Sequence, residues 1–154
     1  MINDKNLVLV SGACAFRDVR GKVAWFLIKI PDEDKWEIPK VLVRKGESSV
    51  RASLRLMTEK GGMNVRVLEE AGRAGGVTTI NGKTLPQRHI YYLMITKYAS
   101  EEPLGFSDYI WLEYSKAVRK IASKRERQML KGAKTTLAEW KKKRQKRKNL
   151  AKQQ

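Results

Sequence analysis

The amino-acid sequence predicts a mixed α/β (α+β) fold, a sheet packed between helices, continued by a basic C-terminal helical extension. Three observations carry this expectation. Short apolar runs recur between turn signals, one central segment switches to helical spacing, and the positive charge is gathered in the last quarter of the chain. With 154 residues, 42% of them apolar, there is material for one core and a polar appendage but not for two full domains. A strand–helix order with several hairpins favours a sheet carrying helices over a helical bundle.

In chain order, residues 7–10 and 13–16 read as one apolar strand interrupted at Ser11-Gly12, residues 17–22 as a polar turn, and residues 23–30 as the second arm of a hairpin. Pro31 and the acids after it break both periods, so residues 31–35 form a loop, and Pro39 holds the short piece 36–39 extended. From Glu47 to about Lys60, Val50, Leu54 and Met57 recur at helical spacing, with Gly61-Gly62 as the stop. Strands are expected at 64–68, 75–80 and 88–96. Asn81-Gly82 is a hairpin signal, with residues 83–87 lengthening the connection. Residues 109–112 form one more strand. Ser123 and Glu126 have the spacing of a capping box that starts the last helix, whose apolar face runs through Met129, Leu130, Ala133, Leu137 and Trp140. Trp140 is the residue expected to pack that helix onto the domain. The expected division is a domain over 1–135 and a basic helical tail over 136–154.

The net charge of +17 belongs to the tail. Residues 1–115 hold 17 Lys and Arg against 14 Asp and Glu, a net +3, whereas residues 116–154 hold 16 against 2, a net +14. A block of that density attracts polyanions by releasing their condensed counterions, without reading sequence. Lys141, Lys142, Lys143, Arg144, Lys146, Arg147 and Lys148 are the candidate nucleic-acid contacts, RNA being favoured over duplex DNA. The default for a charge run is a solvated end, but this one is denser than solubility requires. A membrane surface is disfavoured because the lysine run has no apolar partner face. No apolar run is long enough to span a bilayer, and the N-terminal residues lack the pattern of a secretory signal, so the expectation is a soluble cytoplasmic protein. Cys14, the lone cysteine, is expected to be a small buried apolar residue.

The segment 36–47 followed by 55–63 carries the strongest signal. Seven residues separate Glu47 from Arg55, and a Glu-x-x-Gly ending falls on Glu59 and Gly62. This spacing resembles the Nudix box. The Trp-acid-aliphatic-Pro entry at 36–39, the Lys-Gly-Glu-Ser segment at 45–48, the strand beginning Arg88-His89 and the Ser123-x-x-Glu126 helix start look like the diadenosine tetraphosphate hydrolase subgroup. The resemblance covers roughly residues 7–135. It implies a Nudix-like mixed β-sheet sandwiched between helices, with Glu47 and Arg55 as a structural pair and Gly62 as the end of the box.

In that family a loop and a helix present three glutamates that hold magnesium against a diphosphate, because Mg²⁺ requires hard oxygen ligands. The resemblance places those ligands at Leu56, Glu59 and Lys60, so one of three carboxylates is present and a cation occupies another position. The first glycine of the box is Val41, where a valine resists a turn that glycine permits. A degenerate Nudix box of this kind leads to the expectation of a protein that is not a hydrolase and needs no cofactor. It would use the domain as a platform and bind RNA or a ribonucleoprotein through the tail. The alternative is a Mg-dependent Nudix hydrolase of nucleoside di- or polyphosphates, with Glu59 as the remnant catalytic group and metal ligand. A third reading is nucleotide binding without cleavage, in which Lys60, Arg44 and Lys45 contact the phosphates. Against these stand the ordinary readings: Glu59 and Lys60 as surface residues, His89 as a packed or hydrogen-bonded histidine, and Glu69-Glu70 and Glu101-Glu102 as solvated loop acids.

Overall fold

The computed structural model describes residues 7–99, 105–106 and 108–153. Strands β1 (Val8–Val19), β2 (Lys22–Lys29), β3 (Trp36–Glu37), β4 (Lys40–Leu42), β5 (Met63–Ile80), β6 (Lys83–Ala99) and β7 (Tyr109–Leu112) form one sheet. Its main path runs β3-β2-β1-β6-β5, with β4 on β1 and β7 on β2. The β1–β6 pair is parallel and the remaining pairs are antiparallel, so the sheet is mixed. Helix α1 (Ser49–Arg55), prolonged by a π-helical turn over Leu56–Lys60, lies on one face; α2 (Tyr114–Lys120) and α3 (Lys124–Lys152) lie on the other. This is the sandwich of a mixed sheet between helices that the sequence predicts. Among the described residues no helix is long and apolar enough to cross a membrane.

Alternation along the strands divides the core in two. Phe16, Trp25, Leu27, Tyr91 and Leu93 pack against Ala117, Ile121, Leu130, Ala133 and Leu137 under α2 and α3. Ala13, Ala15, Phe26 and Met94 pack against Leu56, Met57 and Met63 under α1. Residues i and i+1 of a strand face opposite sides, and both sides are covered, which is why these strands read as continuous apolar runs.

Three differences from the sequence reading have physical causes. Ser11-Gly12 does not interrupt β1. A Cβ at Gly12 would lie 2.4 Å from the ring of Tyr91, so the glycine makes room for a tyrosine on the neighbouring strand, and the Ser11 hydroxyl donates to the Ser49 carbonyl at 2.6 Å. The two strands expected at 64–68 and 75–80 are the single strand β5. Ladder pairing with β6 carries it through its glycines, with register shifts at Asn64/Val65, Val67/Glu69 and Glu70/Gly72. The connection after it is minimal, because Ile80 pairs with Lys83 and Asn81 and Gly82 take φ of +52° and +78°, the left-handed pair that a two-residue hairpin requires. Helix α3 is continuous from Lys124 to Lys152. Its packed part reaches Leu137, 4% exposed, and half-buried Trp140.

Glu126 ties these layers together. Ser123 caps α3, its hydroxyl accepting from the Glu126 N–H at 3.3 Å, as a capping box predicts. The carboxylate, however, turns into the protein, where the residue is 2% exposed. It accepts from the Ile38 N–H at 3.0 Å and the Tyr91 hydroxyl at 2.8 Å, and pairs with Lys40 at 2.8 Å. Burial, reinforced by the Glu126 charge, pushes the Tyr91 phenol far above its ordinary range, so it remains the donor. A buried carboxylate is costly to desolvate unless its lone pairs are filled, and here three donors fill them. Replacing it leaves the Ile38 N–H without its acceptor and Lys40 with the longer pair to Glu37 at 3.4 Å. Glu126→Ala is therefore expected to lower stability by about 3–5 kcal/mol, and Glu126→Gln by less, read as the shift in urea unfolding followed by tryptophan fluorescence.

Candidate phosphate-loop helix and nucleic-acid interface

The loop before α1 is closed by an ion pair. The Arg55 Nε donates to Glu47 Oε2 at 2.8 Å, and its Nη2 donates to Glu47 Oε1 at 3.0 Å and to the Leu42 carbonyl at 3.1 Å. Glu47 Oε1 also accepts from the Arg44 N–H at 3.1 Å. One fork thus joins the end of β4, the loop and the last turn of α1. Gly46 at φ +78° lets the chain turn into Glu47, and Ser48 caps α1 by accepting from Arg51 N–H at 3.2 Å. Gly61 ends the π-helical turn, and Gly62 at φ +57° leads into β5. Arg44 and Lys45 are exposed in the loop that the Glu47–Arg55 pair closes. Val41 sits in β4 opposite Ser11 and packs on the apolar cluster under α1, so a valine is accommodated there by ordinary strand geometry.

Positions 56 and 60, at the two ends of the π-helical turn, differ in exposure. The π-helical turn widens the helix locally, its hydrogen bonds running from i to i+5. Leu56 is 2% exposed and packs with Met57, Phe26 and Met94, whereas Thr58, Glu59 and Lys60 are exposed. The Lys60 carbonyl accepts from the Gly105 N–H at 3.0 Å, and a Cβ at Gly105 would lie 2.6 Å from the Lys60 Cα, so loop backbone rests directly on the end of this turn.

Those residues do not fit magnesium. Of the positions the resemblance assigns to ligands, one carries a carboxylate, one an ammonium and one an alkyl group turned into the core. Among the described residues no three His, Cys, Asp or Glu side chains gather as a metal site would require. Glu101 and Glu102 lie outside the described residues. Cys14 is 2% exposed, and burial pushes its thiol well above the ordinary range, so it is held as the neutral thiol. His89 is 4% exposed, its Nδ1 3.5 Å from the Tyr91 hydroxyl, and burial is the main cause that lowers its pKa.

The Glu47 carboxyl is held down to about 2 by hydrogen bonds from the Arg55 side chain first and the Arg44 N–H second. Because its pKa falls on folding, the pair's contribution to stability is fully present above the ordinary value of 4.5 and is lost as the pH falls through about 2. Glu47→Gln is expected to flatten the fall in stability across that window relative to the wild type, measured as urea midpoints at a series of acid pH values.

The second candidate region is the C-terminal half of α3. All residues from Lys141 to Lys152 are exposed. Lys141 pairs with Asp18 at the end of β1 at 3.3 Å, and the Arg144 guanidinium lies 5.3 Å over the Trp140 ring. Trp140 separates two clefts. One, of about 430 Å³, lies between the helix and β5 and is lined by Arg66, Leu68, Glu69, Lys143, Arg144 and Arg147 beside the indole. The other, of about 300 Å³, lies toward β1, with Phe16, Asp18, Lys141 and Lys148 in its wall. The structure therefore brings Lys143, Arg144 and Arg147 together with a sheet residue, Arg66, that sequence reasoning missed. Its signal was present: a basic residue at the α3-facing position of an alternating strand. Lys142 and Lys146 line neither cleft.

No protein-family model matches the sequence, and no curated protein matches it by sequence. Similarity appears in three dimensions. A C. elegans Ap4A hydrolase in a binary complex superposes with a TM-score of 0.66 at 20% identity, covering 85% of this chain and 98% of that one. The NUDIX domain of Shewanella oneidensis NrtR, complexed with ADP ribose, gives 0.64 at 16% identity over 88% and 94%. Shewanella oneidensis NrtR complexed with a 27mer DNA gives 0.65 at 16% identity over 85% and 62%. With the mixed sheet, the loop–helix closed by Glu47 and Arg55, and these superpositions together, the chain has the Nudix fold.

Proposed function

We propose that this protein is a Nudix-fold binding protein that does not hydrolyse nucleotides and that attaches to RNA or a ribonucleoprotein through α3. The observation that supports it is the run Lys141, Lys142, Lys143, Arg144, Lys146, Arg147 and Lys148, seven cations in eight exposed residues on a helix anchored to the core by Leu137 and Trp140. A free tail of the same composition loses conformational entropy on binding; a preformed, anchored helix has already lost it. In this reading residues 1–135 are the platform and 136–154 the arm. In this reading hydrolysis is absent because Leu56 and Lys60 give Glu59 no companion carboxylate on the π-helical turn. Lys60, Arg44 and Lys45 then serve as phosphate contacts for a nucleotide held without cleavage, a role in keeping with the ADP ribose complex of the NrtR NUDIX domain.

Fluorescence anisotropy with a labelled structured RNA tests this reading. The full chain is expected to bind with an affinity that falls steeply with salt, and removal of residues 141–154 is expected to reduce affinity at least about tenfold while leaving the thermal midpoint within a few degrees. Equal binding by the truncated chain would sink the assignment of the tail. Magnesium-dependent turnover of nucleoside diphosphate derivatives by the wild type would establish the hydrolase reading instead, with Glu59 in its metal site.

A further inference from the structure

The face of α3 that packs on the sheet runs at spacings of three and four through Leu130, Ala133, Leu137 and Trp140. The same spacing continues to Arg144 and Arg147, so the sheet-facing stripe changes from indole to guanidinium within one turn. Opposite it, the alternation of β5 that sends Val65 and Val67 to the α1 side sends Arg66 and Leu68 to the α3 side. Three arginines and Lys143 thus converge on one cleft, whose wall has a single acid, Glu69. Among the described residues none of these four cations is in an ion pair. A helix face meeting a sheet ordinarily closes with apolar side chains. Here it closes with like charges from both sides, an arrangement that disfavours the free state and favours an anion between them.

We infer that this cleft is a phosphodiester site for single-stranded RNA. A backbone phosphate lies between Arg66 of the sheet and Arg144 and Arg147 of the helix, and the adjoining ribose or base lies against Trp140. Guanidinium forks suit phosphate oxygens better than a point charge does. A single strand supplies an unstacked base for the indole, which a duplex does not. The inference rests on the RNA-binding reading above and gives it a fixed seat, because Arg66 belongs to the rigid sheet and not to the basic run.

Anisotropy titrations of the full chain with a fluorescein-labelled oligouridylate across a salt series test it. Arg66→Ala, at an exposed position, is expected to weaken binding at least about tenfold and to reduce the salt slope by about 0.7, the signature of one lost phosphate contact on a single strand. Arg66→Lys is expected to fall between wild type and alanine, and the pair Lys142→Ala/Lys146→Ala, outside both clefts, to cost less affinity than Arg66→Ala alone. If Arg66→Ala binds like the wild type while truncation of 141–154 abolishes binding, the cleft is overturned and the tail assignment stands. If the wild type binds neither the oligouridylate nor the structured RNA, both are overturned. Duplex DNA bound equally well and with equal dependence on Arg66 would overturn the assignment to RNA.

Discussion

The carboxylate of Glu126 is the interaction on which the arrangement of layers depends. It sits at the start of the longest helix, yet its partners are the Ile38 N–H before Pro39, the Lys40 ammonium on β4 and the Tyr91 hydroxyl on β6. Apolar contact alone would let α3 slide or rotate over the sheet, because dispersion and the hydrophobic effect are nearly non-directional. A buried carboxylate with three fixed donors is directional, and mismatch by one residue would leave charges unpaired in a water-poor interior. The register of α3 is thereby set at its first turn. From there Met129 comes against Gly72, Gly132 against the Ala71 carbonyl, and the helix reaches Trp140 with its arginines facing β5.

The other face of the sheet is organised by a different charge pair with a different task. Glu47 and Arg55 close a loop that carries exposed cations, and the fork between them is only partly shielded from water. Beyond Arg55 the helix widens into a π turn, and the apolar cluster draws in Leu56 and Met57 together. The consequence for chemistry is direct. The surface that this turn offers is one carboxylate, Glu59, beside the Lys60 ammonium, with loop backbone resting on its end.

On the α3 side, the same helix that seals the core also carries most of the charge. Its sheet-facing stripe is continuous in spacing but not in chemistry, apolar through Trp140 and cationic beyond it. Within this one helix the residues from Glu126 to Leu137 hold the fold, and those after Trp140 are exposed.

Much of this was legible in the sequence. The strand periods, the Asn81-Gly82 turn, the Ser123 start, the spacing of Glu47 to Arg55 and the segregation of charge are local properties, written in residues within a turn or two of each other, and local sterics suffice to express them. What only the tertiary structure decided depends on residues far apart in the chain. Ser11-Gly12 looked like a break until Tyr91 was seen to need the space, and two short strands became one because β6 supplied a ladder for both. Glu126 read as a cap and proved a buried hub, since nothing near position 126 announces Ile38, Lys40 or Tyr91. Leu56 is buried and Lys60 exposed because the apolar cluster under α1 takes up the first and not the second. Arg66, isolated in sequence from the basic run, joins it only because α3 lies across β5; burial and long-range pairing, unlike helical period or turn chemistry, are fixed by how the layers meet.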